Sequence, residues 1–177
     1  WQDAVRSRLP WLVLNLVTIG LASSVALLFE GALQTYWWLA MLMPIIAGMG
    51  GNSGTQALAV TVRRIAIASS EMERRSDAVR KELVIGLVNG LALGAIAALA
   101  VFGASFVLPD VPGMLALVVL VALWGNILVA GTLGAFGPTL LDRLNIDPAV
   151  ASSVFLTTTT DLVGFVLLLG MASAFLL

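Results

Sequence analysis

A single carboxylate, Asp161, stands in a stretch that is otherwise uncharged from Pro148 to Leu177, and four threonines, Thr157 to Thr160, precede it directly. A carboxylate at the centre of a membrane-spanning helix costs about 2.5–3.5 kcal/mol on insertion scales. Such a side chain has to face a bundle interior or water, and it is a functional candidate by default. On a helix, Thr157 lies one turn before the acid on the same face and Ser153 two turns before it. The result is a stripe of oxygen atoms ending in a carboxylate. The structural alternative is a protonated Asp161 that only hydrogen-bonds a neighbouring helix.

A second constellation occupies residues 44–56, PIIAGMGGNSGTQ. Gly48, Gly50, Gly51 and Gly54 thin one helix there, while Asn52, Ser53, Thr55 and Gln56 add polar side chains. Pro44 has no N–H to donate and so frees a carbonyl about one turn earlier. Irregular or polar backbone at membrane depth is tolerated only inside protein or beside a water-filled cavity. A pore or ion-site wall accounts for this density of glycine and oxygen better than a packing crossing does. Measured from the ends of their helices, Asn52 and Asp161 fall at similar depths near the middle of the bilayer, where they can meet.

The partner of Asp161 has to come from outside the chain. No lysine or arginine falls within an apolar run, and there is no histidine or cysteine anywhere. Soft and borderline metals favour those missing ligands, whereas oxygen-only surroundings suit magnesium, calcium or an alkali ion. Magnesium dehydrates reluctantly and often keeps its waters beside one or two carboxylates. One aspartate per chain becomes two if a dimer places both on its axis. Enzyme readings fail on residue type: a serine–histidine dyad and an HExxH site need histidine, and an aspartyl intramembrane protease needs two apposed acids. A purely structural anchor remains a separate reading, in which Asp161 and Asn52 tolerate apolar replacement.

The elements that must position these groups are helices in lipid. The 177 residues are 60% hydrophobic and 11% charged, against about 25% charged in a soluble domain. A spanning helix needs about 20 apolar residues, and uncharged runs meet that at 9–29, 31–62, 83–109, 111–141 and 148–177, the last interrupted only by Asp161. With five spans, all nine Lys and Arg residues fall on one side: Arg6, Arg8, Arg63, Arg64, Arg74, Arg75, Arg80, Lys81 and Arg143. The positive-inside rule then places the N-terminus in the cytoplasm and the C-terminus outside, with Tyr36, Trp37 and Trp38 at the outer interface. The expected fold is therefore an all-α membrane protein of five transmembrane helices. Residues 1–8 are expected to be the tail of a cytoplasmic linker or interfacial helix, and 9–177 the five-helix domain. The polar segment 63–82 is expected to be a solvated cytoplasmic turn, with Ser76 or Asp77 capping the third span and Pro148 in the first turn of the fifth. Asn15, Asn52, Asn89 and Asn126 are expected to point inward and bond between helices. Gly86, Gly90 and Gly94, with Gly131, Gly134 and Gly137, are expected to permit close helix contact.

The sequence resembles the membrane domain of the MgtE family of bacterial magnesium channels. The likeness is carried by PIIAGMGGNSGTQALAVTVRR at 44–64 and DPAVASSVFLTTTTDLVGF at 147–165, with support from RLPWLVLNL at 8–16 and FEGAL at 29–33. It implies a homodimer in the bacterial inner membrane whose second and fifth spans line one central pore. It further implies that Asp161 selects largely hydrated Mg2+, and that Asn52, Gly54, Thr157 and Ser153 contribute to the ion site. Members of the family carry cytoplasmic regulatory domains before the first span, an N-terminal domain and a paired CBS module, which this sequence does not include. The expected activity is passive uptake driven by the membrane potential. The alternative is a secondary transporter of another divalent cation that uses Asp161 as its carrier site.

Overall fold

The computed structural model describes residues 1–67, 71–144 and 148–177, and every regular element among them is a helix. The first helix, α1 (Gln2–Ser23), is followed by two short pieces, α2 (Val25–Leu28) and α3 (Glu30–Thr35). Ser24 marks the first interruption: its hydroxyl donates to the Leu21 carbonyl at 2.6 Å. At Phe29 the backbone leaves the helical region, with φ −116° and ψ 27°. Residues 2–8 continue into α1 without a break, so the expected linker tail and the first span share one helix.

Four long helices follow α1: α4 (Leu39–Ile67), α5 (Glu71–Ser105), α6 (Leu115–Arg143) and α7 (Pro148–Leu176). Pro148 opens α7 as expected, since the first helical position has no use for the missing N–H. Ser76 and Asp77 do not begin a helix, because α5 is already under way from Glu71. Their side chains lie outside the described residues, as do residues 145–147.

Four stretches among the described residues are long and apolar enough to cross a membrane: Gln2–Leu28, Val79–Ser105, Leu115–Leu141 and Ser152–Leu176. Helix α4 has 29 residues, as many as α6 and α7, yet is not one of them. Its middle holds glycine, asparagine, threonine and glutamine where the others carry leucine and valine. Hydropathy alone thus gives four spans, and the expected fifth rests on the length and place of α4.

Successive long helices alternate in direction. Tyr36 donates its hydroxyl to the Leu176 carbonyl at 2.8 Å, and Trp38 Nε1 donates to the Asp110 carbonyl at 3.1 Å. These bonds gather the start of α4, the turn between α5 and α6 and the end of α7 at one end of the bundle. Helix α6 is the hub. It packs on α4, α5 and α7, and 56% of its span is buried against 11% of the first span. The glycine ridge of α5 lets it lie close against α6. A Cβ on Gly90 would sit 2.8 Å from Trp124 Cδ1, and one on Gly94 would sit 2.9 Å from the Leu120 carbonyl oxygen. Gly86, Gly131 and Gly134 also face neighbouring helices. Gly137 is a correction: nothing lies within 4 Å of its would-be Cβ.

Candidate ion site

Helices α4 and α7 cross through small residues. A Cβ on Gly54 would run into the Leu156 side chain, one on Gly51 would lie 3.9 Å from Thr160 Oγ1, and one on Gly164 would lie 3.2 Å from Ile46 Cγ2. The pairs 54–156, 51–160 and 46–164 run in opposite senses, so the helices are antiparallel and Asn52 sits at the depth of Thr160 and Asp161. Asn126 pins the crossing from α6. It is fully buried, donates Nδ2 to the Ile46 carbonyl at 2.8 Å, and fills the space left by Gly50 and Gly164. Its Oδ1 has no hydrogen-bond partner.

The threonine stripe divides between two neighbours. Thr160 is buried toward α4, and its hydroxyl donates to the Thr157 carbonyl at 3.1 Å. Thr157 and Thr158 instead face α1. Thr157 Oγ1 donates toward Asn15 Oδ1 at 3.1 Å, and Thr158 Oγ1 donates to Thr18 Oγ1 at 2.7 Å. Asp161 follows Thr160 in the chain and lies one turn beyond Thr157. On the helix it falls between Thr157 and Thr158, the two threonines that bond to α1, and α1 and α4 both pack on α7 without comparable contact with each other. The carboxylate is half-buried, and among the described residues it forms no hydrogen bond or ion pair.

Helix α4 has an exposed polar face of its own. Gly48, Asn52, Thr55 and Gln56 recur at helical spacing and are all exposed. The Thr55 hydroxyl folds back onto the Gly51 carbonyl at 2.7 Å, while Asn52 and Gln56 make no side-chain hydrogen bond among the described residues. Ser153 continues the α7 stripe and is exposed. Ser153, Thr157 and Asp161 recur one turn apart on α7, and Asn52 lies at the depth of Asp161 on the exposed face of α4.

Gly54 is buried beneath Leu156, and its carbonyl oxygen abuts Gly134 of α6, at the crossing of α4 with α6 and α7. The asparagines also divide: Asn15 and Asn126 bond between helices, whereas Asn52 and Asn89 are exposed. A cavity of about 330 Å³ lies on the other flank of α7, bounded by Leu58, Gly137, Leu140, Phe155 and Thr159 among others. Its lining carries no charged side chain among the described residues. Among the described residues no cluster of three or more acidic, histidine or cysteine side chains could hold a bare metal ion.

Sequence reasoning missed the contribution of α1. Asn15 was legible as a polar residue needing a partner, but nothing in the spacing said that the partner would be Thr157.

Known proteins resemble this chain along most of its length. Residues 43–171 match the family model MgtE, described as a divalent cation transporter. The chain is 34% identical over 174 residues to the magnesium transporter MgtE of Enterococcus faecalis and 33% identical over 174 residues to that of Bacillus subtilis. Each alignment covers 98% of this chain and 37% of the relative. The Thermus thermophilus magnesium transporter MgtE is 32% identical over 168 residues, which cover 94% of this chain and 36% of that protein. The chain thus spans little more than a third of the length of these relatives.

Proposed function

This chain belongs to the MgtE family of divalent cation transporters, and from that premise we propose that it passes hydrated Mg2+ inward through a pore lined by α4 and α7. It is a multi-pass protein of the bacterial inner (plasma) membrane. The observation that carries the proposal is Asp161, a half-buried carboxylate that forms no hydrogen bond or ion pair among the described residues. With Ser153 and Thr157 of α7 and Asn52 of α4 we read it as one polar strip at membrane depth. An isolated charge there is costly, and a divalent cation offsets that cost where the chain supplies no counter-charge. The strip offers oxygen acceptors in Asn52, Ser153 and Thr157, the kind of group that the outward-pointing hydrogens of a magnesium water shell require. Gly54 serves the site by letting α7 approach α4.

Five spans, with α4 as the second and α7 as the fifth, place the basic residues on the cytoplasmic side. The exposed polar face of α4 would also be unfavourable in lipid. A second copy related by a two-fold axis covers it, brings two Asp161 side chains to one axis and closes the strip into a pore. Entry of a divalent ion through that pore gains about 4.6 kcal/mol per 100 mV, interior negative, twice the single-charge figure.

The test is Mg2+ flux into proteoliposomes under a set membrane potential, for the wild-type chain and for Asp161→Asn. The asparagine variant should lose at least tenfold in Mg2+ flux or in preference over monovalent cations, at unchanged oligomeric size. A folded variant that matches the wild type in both rate and selectivity rules out the aspartate as the ion site.

A further inference from the structure

We infer that Asn15 of α1 is a positioning residue for the ion path, holding the Thr157 hydroxyl so that its lone pairs face the passing cation. This inference rests on the reading of Asp161, Thr157 and Ser153 as the ion-facing stripe.

A hydroxyl carries one proton and two lone pairs. A hydrated cation presents water hydrogens outward, so a wall that contacts its shell must accept hydrogen bonds, and a hydroxyl that points its proton at the ion repels it. The Thr157 proton has three acceptors within reach: Asn15 Oδ1 at 3.1 Å, the Ser153 carbonyl at 2.9 Å and the Val154 carbonyl at 3.2 Å. The two carbonyls belong to α7 itself and keep a second lone pair beside their helix bond, so they compete for the proton, and Asn15 Oδ1 is the one of the three that lies on α1. Asn15 Oδ1 draws the proton sideways toward α1 and away from the strip. A second bond keeps α1 in register: Thr158 donates to Thr18 Oγ1 at 2.7 Å, and the Thr18 hydroxyl donates in turn to the Asn15 carbonyl at 3.0 Å. Helix α1 otherwise contributes few buried residues and packs on α7 rather than on α4 or α6. Its polar groups therefore meet the bundle at the stripe itself, one turn from Asp161. Packing alone gives no reason for asparagine and threonine at these points of an otherwise apolar helix face.

The experiment is a double-mutant cycle on Mg2+ flux and on Mg2+ preference over Ca2+, with the chain in proteoliposomes. Asn15→Leu should lower Mg2+ preference three- to tenfold. Thr157→Val should do the same, and the double variant should be no worse than Thr157→Val alone, because the asparagine acts through that hydroxyl. Asn15→Gln, which keeps an acceptor oxygen, should retain most of the preference. If Asn15→Leu does not fold, Asn15→Ala carries the same expectations. Unchanged selectivity in the Asn15 variants overturns the inference, and so does a double variant in which the two losses multiply, since each residue would then act independently. The Asp161→Asn measurement separates the failures. If that variant is silent the stripe is not the ion path, whereas a defect there beside normal Asn15 variants leaves the pore standing and removes only the role of α1.

Discussion

Asn126 shows how much of this bundle depends on one side chain fitting between two glycines. Its amide donates to the Ile46 carbonyl while Gly50 and Gly164 make room on either side. A hydrogen bond between membrane helices contributes about 0.6 kcal/mol on average and about 1.7 at most. Asn126→Ala should therefore cost about 1–3 kcal/mol once the cavity it leaves is included, read as a lower thermal midpoint in detergent. Gly50→Ala should cost about as much by a different route, overpacking, since the new methyl meets Asn126, which has no room to withdraw. Combining the two should restore part of the loss, because the methyl then fills the space the amide vacates. If the two losses simply add, the glycine and the asparagine are not in contact.

At the level of helices, the sequence told more about which residues were exceptional than about where their faces turn. Helix existence, the start of α7 at Pro148 and the α5 glycine ridge were all legible, because apolar length and small-residue spacing are properties of one segment at a time. The direction of Asp161 was only half legible. A single helix shows that Thr157 shares its face, but whether that face meets α1, α4 or α6 depends on partners far away in the chain. Gly137 left its expected place for the same reason, lying beside a cavity while Gly134 presses against α4. Space around each glycine now separates their responses to alanine. Gly134→Ala drives a methyl against the Gly54 carbonyl oxygen, with Ala57 Cβ at 2.8 Å and Leu58 N at 3.0 Å, so backbone has to move. It should destabilise by about 1–3 kcal/mol and lower flux by prising α4 from α6. Gly137→Ala meets open space and removes backbone freedom from a helix interior, so it should be neutral or stabilising by up to about 1 kcal/mol. Thermal unfolding of the two variants side by side decides it, and equal destabilisation would mean that the α4–α6 crossing is looser than described.

The whole molecule has two kinds of exposed surface, and they predict different neighbours. Around most of the bundle the outward residues are large and apolar, among them Val88, Leu91, Ile96 and Leu99 on α5, and lipid satisfies them. Along α4 the outward residues are Gly48, Asn52, Thr55 and Gln56, beside the open carboxylate of Asp161, and lipid does not. Polar groups at this depth need protein or water, so the proposed second copy belongs on the α4 face and not on the α5 face. The chain contains no cysteine, so a single introduced thiol reports on its own position without a background. A disulfide needs Cα atoms no more than about 7 Å apart, a condition that symmetry-related residues meet only near the two-fold axis. Mild oxidation in membranes should therefore link Gly48→Cys, Asn52→Cys or Gln56→Cys into covalent dimers at one or more of these positions. Val88→Cys and Leu99→Cys should stay monomeric on denaturing gels. Added Mg2+ should slow the reaction at Asn52→Cys if the ion occupies the space between the copies. Crosslinking confined to the α5 positions would put the dimer axis on the wrong side of the bundle and leave the α4 strip to be closed within one chain, which the separation of α1 from α4 does not achieve.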